Sequence, residues 1–389
     1  MQRIVHLCSS STAREGGSVM RSRSLNKLVI LMLFIGICIL PNNAGLAAEK
    51  VYEFKLANFY PPLSSFNSAV WPFWAEQLDK ASNGRIKIKV FPAEQLAKSE
   101  DLWEAVNSGI ADIGHFFLMF EAGRYPISEY GYLPMIFTSN RDCGMTMTSL
   151  YQKYPQIQDE FKSVKVLWFN GNAPAQFFTK NKPINTLDDL KGLRVNGGGL
   201  YWKHVAKELG FAPMTLPFPE IYDALAKGVI DGNTVEWEGQ YIFRWYELDR
   251  YSLGGVNLYI YPFILCMNKK KWDSLPPDIQ AVFEKYSGVK GAEMTGYIFD
   301  QHDIAGKKQI EKYVKAQDLS PIQYISKERR EELKKKLEPV RELWMEEMAK
   351  KGVPGKEILK DAEAMVEDLG KGPELKYWTR EELVKKLQF

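Results

Sequence analysis

The chain has 389 residues, 45% of them hydrophobic and 25% charged, a balance that excludes disordered and fibrous proteins and gives length for two ordinary domains. Its formal charge of +3 becomes −1 beyond residue 47, where 46 Lys and Arg face 47 Asp and Glu. A near-neutral body offers no basic footprint to phosphate backbones or anionic membrane surfaces, which argues against nucleic-acid binding.

Arg21, Arg23 and Lys27 precede an unbroken apolar run, Leu28 to Leu40, and then small Gly45 and Ala47. Thirteen apolar residues fall short of the roughly 20 that cross a bilayer, so residues 1–47 are expected to be an N-terminal extension and a cleaved secretory signal peptide. Ile37 stands where a lipobox needs a small residue before Cys38, which disfavours a lipid anchor. The mature chain then keeps Cys143 and Cys266, expected as buried free thiols with one bridge as the alternative.

Strands are predicted at 51–57, 86–91 and 111–117, with helices at 64–82 and 99–108 between them, an α/β alternation. Helical stretches near 145–154 and 156–161 lead to strands at 164–169, 176–179 and 193–196. A helix at 200–209, a strand at 213–216 and a helix at 220–227 follow. After a β run at 258–267 the chain is mostly helical, and 328–351 carries Leu333, Leu337, Val340 and Trp344 as a packing stripe, with Pro339 expected to bend it.

Residues 102–112 and 221–231 echo each other at a constant offset of 119: an amphipathic helix, a glycine (Gly109, Gly228) and an aspartate (Asp112, Asp231) entering a strand. The same αβ unit used twice implies two related lobes. The fold class is therefore α/β, two lobes forming a clam-shell with a ligand cleft between them, an architecture that suits ligand capture by closure. The expected partition is 48–170 plus 256–295 for one lobe, and 171–255 plus 296–389 for the other.

G-x-S-x-G, H-E-x-x-H, G-x-x-x-x-G-K-[ST] and C-x-x-C patterns are all absent. His115 ends a buried strand and faces either cleft or core. Glu236 and Glu238 flank Trp237, and on a strand would share one face, as a glycosidase pair could require. The strongest binding signal is the segment Thr186 to Gly199. On its strand Arg194 faces opposite to Leu193 and Val195, so its guanidinium either pairs internally or reaches the cleft, and the triple glycine precedes a helix N-terminus.

Several blocks in this order resemble the DctP-type solute-binding proteins of tripartite ATP-independent periplasmic (TRAP) transporters: Gly84 to Pro92, Gly109 to Gly114, Thr186 to Arg194, Glu220 to Gly232 and Met267 to Pro277. The resemblance covers essentially the whole mature chain. It implies an α/β fold, a two-lobed periplasmic binding protein with a ligand cleft between lobes and a long lobe-bridging helix, Arg194 on the substrate carboxylate, a small organic acid as ligand, TRAP permease subunits as partners and no catalysis. A monomer in the periplasm is expected. Dicarboxylate and sialic-acid members are similar in placing another arginine where this chain has Ala175 and Gln176, so a monocarboxylate is expected. Gln176 and Glu236-Trp237 look like the Gln and Glu-Trp of the 2-oxo-acid branch, which implies a cation beside the substrate; Asn233-Thr234 departs from that pattern. No other cofactor is expected. Asn196, Phe59, Tyr60, Phe117, Trp202 and Trp237 complete the candidate cleft residues, each aromatic being also a plausible core residue. A ligand-presenting sensor subunit and a periplasmic hydrolase are the alternative functions.

Overall fold

The computed structural model describes residues 49–121, 123–370 and 379–387. Residues 1–47, expected as an extension and signal peptide and carrying Cys8 and Cys38, lie outside them. The first lobe starts with β1 (Tyr52–Asn58), a π-helical turn at Phe66–Val70 and α1 (Trp71–Ala81), whose Pro72 sits in the first turn, where its missing N–H costs nothing. β2 (Ile86–Phe91) returns parallel to β1. Then α2 (Leu102–Ser108) ends at Gly109, whose φ of 83° is the left-handed cap that glycine adopts without strain, and β3 (Ile113–Phe117) pairs on the other side of β1. α3 (Asn140–Lys153), capped by the Ser139 side chain, and α4 (Pro155–Glu160) lead to β4 (Val164–Asn170).

The chain then builds a second sheet. β5 (Gln176–Thr179), β6 (Arg194–Asn196), α5 (Trp202–Leu209), β7 (Ala212–Met214), α6 (Phe218–Ala226), β8 (Gly232–Val235), α7 (Trp237–Ile242) and β9 (Tyr251–Gly254) follow in order. β10 (Phe263–Asn268) returns to the first sheet, buried throughout and antiparallel to both β3 and β4. The helices α8 (Lys269–Asp273), α9 (Pro277–Lys285) and α10 (Gly288–Ala316), the short β11 (Gln323–Tyr324), and α11 (Lys327–Lys350), α12 (Gly355–Gly370) and α13 (Arg380–Leu387) complete the described chain. The strand orders are β2-β1-β3-β10-β4 and β11-β9-β5-β8-β6-β7. The chain crosses between the sheets at 171–175 and again at 255–262.

The repeated unit is visible in both sheets. Asp112 N–H donates to Lys55 O at 3.1 Å while Lys55 N–H donates to the Asp112 carboxylate at 2.8 Å, clipping the start of β3 to β1. Asp231 N–H donates to Arg194 O at 2.8 Å and Arg194 N–H to the Asp231 carboxylate at 2.8 Å, clipping β8 to β6 in the same way.

The 29 residues of α10 span about 44 Å at 1.5 Å per residue. This helix packs on α3, β4 and the π turn of the first lobe and on α7 of the second, the bridging element the resemblance implied. α11 buries Leu333, Leu337, Val340 and Trp344 as the stripe predicts and runs continuously through Pro339. Cys143 and Cys266 are buried free thiols. His115 belongs to the core: its ring stacks on Phe263, its Nε2 lies 3.2 Å from Asn170 Oδ1, and burial pushes its pKa down to about 3. Among the described residues no helix is long and apolar enough to cross a membrane.

Candidate functional site

The C-terminal ends of parallel strands are where open α/β sheets bind ligands. At those ends of β6 and β8 lies a narrow cavity, ≈ 300 Å³ of empty space with its mouth to solvent included. Asn196, Gly197, Gly198 and Thr234 come from the strand ends, Phe218 and Trp245 from the second lobe's helices, Met119 from the segment after β3, and Tyr261 from the second crossing. Among the described residues the lining contains no charged side chain. Phe117 of the first lobe stacks on Phe218 of the second, ring centroids 5.9 Å apart, so the lobes meet over the cavity. A larger open hollow, ≈ 790 Å³, lies beside Phe73 and His302. None of its lining residues lies on a strand, and Arg380 on its wall is paired with Glu76 and set over Phe73, so we place the site at the cavity between the lobes.

The cavity's polar end is a chain of hydroxyls. Thr234 Oγ1 donates to Asn196 O at 3.2 Å and lies 2.5 Å from Tyr259 Oη, which is 3.1 Å from Tyr261 Oη. The glycines are required by close approach: a Cβ at Gly197 would sit 2.6 Å from Thr234 Oγ1 and 2.6 Å from the Trp202 ring. Asn196 Oδ1 accepts the Leu216 N–H at 2.9 Å, which leaves its NH2 as the available donor on the wall.

Around this chamber lie buried carboxyls. Glu236 accepts from Asn172 Nδ2 at 2.5 Å, and burial pushes its pKa well up, with Asp303 adding to the effect. Glu238 accepts from the backbone N–H and hydroxyl of Ser65, at 2.8 and 2.9 Å, a contact between the lobes; burial raises it to about 7. The pair is not on a strand, as the glycosidase geometry supposed. β8 ends at Val235, and Glu236 is the N-cap of α7.

Arg194 requires a correction. Its Nε and Nη2 donate to the two oxygens of Asp231 at 2.9 and 2.7 Å, so the fork meant for a ligand carboxylate is filled, and its side chain is 43% exposed. It sits at the N-terminal end of β6, two residues and roughly 6.5 Å before the cavity residue Asn196. The internal pairing prevails because Asp231 is the clip of the repeated unit. Arg194→Ala should therefore leave ligand affinity within about twofold of wild type by calorimetry, the guanidinium touching no part of the cavity wall; a loss of tenfold or more would restore it as the anchor.

Gln176 is likewise committed. Its oxygen accepts from Val256 N–H at 3.0 Å and its NH2 donates to Pro174 O at 2.7 Å and Asn257 Oδ1 at 3.1 Å. With Glu236 held by Asn172, this pair does not fit the cation that the resemblance implied. Among the described residues no cluster of three or more His, Cys, Asp or Glu is disposed to hold a metal. Phe59, Tyr60 and Phe117 form one aromatic group, centroids 4.4 to 6.3 Å apart, behind the cavity wall, and Phe117 reaches Tyr261 at 5.3 Å. Trp237 packs edge-on against Phe178, and Trp202 lies 5.7 Å from Tyr259, both as core. Sequence reasoning missed Tyr259, Tyr261, Thr234, Phe218 and Trp245. The i, i+2 spacing of the two tyrosines was the one available signal.

Two α/β lobes closed over an internal cavity define a protein that captures small solutes. The chain belongs to the bacterial extracellular solute-binding proteins, family 7 (DctP), whose family model matches residues 56–350. It is 30% identical to a TRAP solute-binding protein from Rhodoferax ferrireducens T118, solved with copurified benzoate, over 82% of this chain and 99% of that one, with a TM-score of 0.76. A marine-metagenome TRAP solute-binding protein specific for aromatic acid ligands, solved with 3-hydroxybenzoate, is 27% identical over 83% of this chain and 100% of that one, with a TM-score of 0.76. The outer membrane transporter protein TsaT of Comamonas testosteroni is 25% identical over 290 residues, 74% of this chain and 83% of that protein.

Proposed function

We propose that this protein is a periplasmic receptor, exported by cleavage of its leader. It acts as a monomer without catalysis, takes a small monocarboxylic acid with an apolar or aromatic body between its lobes, and delivers it to TRAP permease subunits. The observation that carries the reading is the interlobe cavity itself, walled by Phe218, Trp245 and Met119, with neutral donors and no charged side chain among the described lining residues. One carboxylate can be met by the Asn196 NH2 at the strand end, a neutral donor to an anion. A second carboxylate would be desolvated against apolar walls without a partner, a cost of several kcal/mol. The benzoate and 3-hydroxybenzoate held by the two solved relatives support an aromatic body.

Thermal-shift measurements should accordingly show stabilisation by benzoate, phenylacetate or a branched 2-oxo acid, unchanged by chelator, and none by succinate or malate. Stabilisation by C4-dicarboxylates alone would overturn the monoacid reading, and chelator-sensitive stabilisation would reinstate the cation. Native mass spectrometry of the freshly purified protein would identify a retained solute directly.

A further inference from the structure

The two lobes contribute unequally to the cavity wall. The strand ends, Phe218 and Trp245 belong to the second lobe and Tyr261 to the second crossing, whereas among the described lining residues the first lobe supplies Met119 alone. What closure adds to the second lobe's wall is therefore Met119, and the space left to a captured solute depends on where that side chain stops.

It stops at the glycine loop. A Cβ at Gly198 would lie 3.1 Å from Met119 Cε and 3.0 Å from Tyr261 Oη, so the methyl end of Met119 already borders the space that a side chain at 198 would need. The backbone beneath it is held at two points. Leu118 N–H donates to Pro262 O at 3.1 Å, and Met119 N–H donates to Tyr132 Oη at 2.7 Å. Tyr132 is 4% exposed, and its ring abuts the second lobe in turn: a Cβ at Gly199 would stand 2.9 Å from Tyr132 Cδ1. Backing Met119 away thus breaks these hydrogen bonds or parts the lobes, and parting them also loses the stack of Phe117 on Phe218. The triple glycine that the sequence offered as a turn before a helix N-terminus is the surface on which the first lobe closes.

The space so bounded is small. With its mouth included, ≈ 300 Å³ lies at the lower end of the range for small-molecule sites, about 300–1,000 Å³. An unbranched thioether packs well against one aromatic ring, and a second ring fused to the first has to displace it.

We propose that Met119 is the specificity-determining residue for ligand size, closing on Gly198 so that the receptor takes monocarboxylic acids with a single-ring body and rejects those with fused rings. The inference rests on the acid reading of the cavity, which it deepens.

Calorimetry with benzoate and 2-naphthoate tests it, in wild type and in Met119→Ala and Met119→Leu with folding checked by circular dichroism. Wild type should bind benzoate at least about tenfold tighter than 2-naphthoate, and Met119→Ala should shift that ratio by about tenfold or more toward the larger acid, the scale of a methylene in an apolar pocket. Met119→Leu, of similar volume, should keep the ratio within about threefold of wild type. Gly198→Ala should weaken benzoate binding, and less so in the Met119→Ala background, where the methyl that its Cβ meets is gone. A wild-type ratio near one, a ratio unmoved in Met119→Ala, or equal losses from Gly198→Ala in both backgrounds would overturn the proposal. Benzyl alcohol and 2-naphthalenemethanol repeat the comparison without a carboxylate. If neither acid binds but the alcohols show the shift, the acid reading fails and the size limit stands. If benzoate binds and the ratio does not move, the acid reading stands and Met119 does not set the size; a wild type that binds no member of either series overturns both.

Discussion

Thermal unfolding should give a higher midpoint at pH 6 than at pH 8, and Glu238→Gln should be more stable than wild type at pH 8. Burial pushes Glu238 from 4.5 to about 7, and Asp303 and Asp249 are likewise raised from 3.8 to about 7. A carboxyl raised in the folded state contributes stability that is complete below its unfolded pKa and is lost as the pH rises through the folded one. For Glu238 the window therefore runs from 4.5 to about 7. Between pH 8 and 6 each such group contributes on the order of 1 kcal/mol, at about 1.4 kcal/mol per pH unit. His115 and His302 oppose them, because burial lowers both from 6.5, His115 to about 3, and their stabilising effect fades as the pH falls below 6.5; two groups with that sign are outweighed by three. The groups around Glu238 are the Ser65 hydroxyl and backbone N–H from the first lobe, Asp303 from α10, and Glu236 and Tyr60, none of them a cation. In Glu238→Gln the amide oxygen still accepts Ser65 N–H and the new NH2 can donate to the Ser65 hydroxyl, so the interlobe contact survives without the buried charge. A midpoint that falls on going from pH 8 to 6, or a glutamine variant destabilised equally at both, would refute the account.

The largest single loss of stability should come from Gly296→Ala. Three glycines let α10 approach what it bridges: Gly291 against the Trp168 ring, Gly296 against Arg141 in α3, and Gly306 against the backbone of Trp237 and Glu238 in α7. At Gly296 a Cβ would lie 2.3 Å from Arg141 Cα and 2.8 Å from its nitrogen, and backbone cannot rotate away as a side chain can. Alanine gains about 1 kcal/mol of helix propensity, but forcing two packed helices apart costs about 1–3 kcal/mol or more. The net change should be a clear loss by denaturant unfolding, accompanied by weaker ligand binding because the bridge sets the lobe geometry. Gly370→Ala, with nothing within 4 Å, should be neutral or stabilising. Equal stability of the Gly296 variant and wild type would show that the helices can separate at no cost.

Local pattern carried the architecture because it is written in neighbouring residues. The alternation of Ile86–Phe91, the glycine that ends α2 and the repeated helix–glycine–aspartate unit need no knowledge of distant partners, and they led to two α/β lobes. The apolar stripe of α11 was legible for the same reason, since four residues at helical spacing show one face. The role of Arg194 was not legible. Either an internal partner or a ligand satisfies a guanidinium on a strand, and the choice depended on Asp231, 37 residues away, whose place in the repeat became clear only when Asp112 and Lys55 were seen to make the same clip. Glu236 and Glu238 were misplaced because β8 ends one residue before them, a boundary set by the start of α7.

The sequence by itself determined that this is an α/β binding protein without a catalytic motif, because helix caps, strand alternation and family blocks are properties of short segments. Only the tertiary structure decided what the cavity offers a ligand. Tyr259 and Tyr261 lie in a crossing segment between the sheets, Thr234 and Asn196 on two parallel strands, and Phe218 and Trp245 on separate helices, and their order in the chain gives no sign that they meet. Hydrogen bonding requires atoms within about 3 Å, and only the pairing of β6 with β8 and the return of the crossing over their ends bring these groups so close.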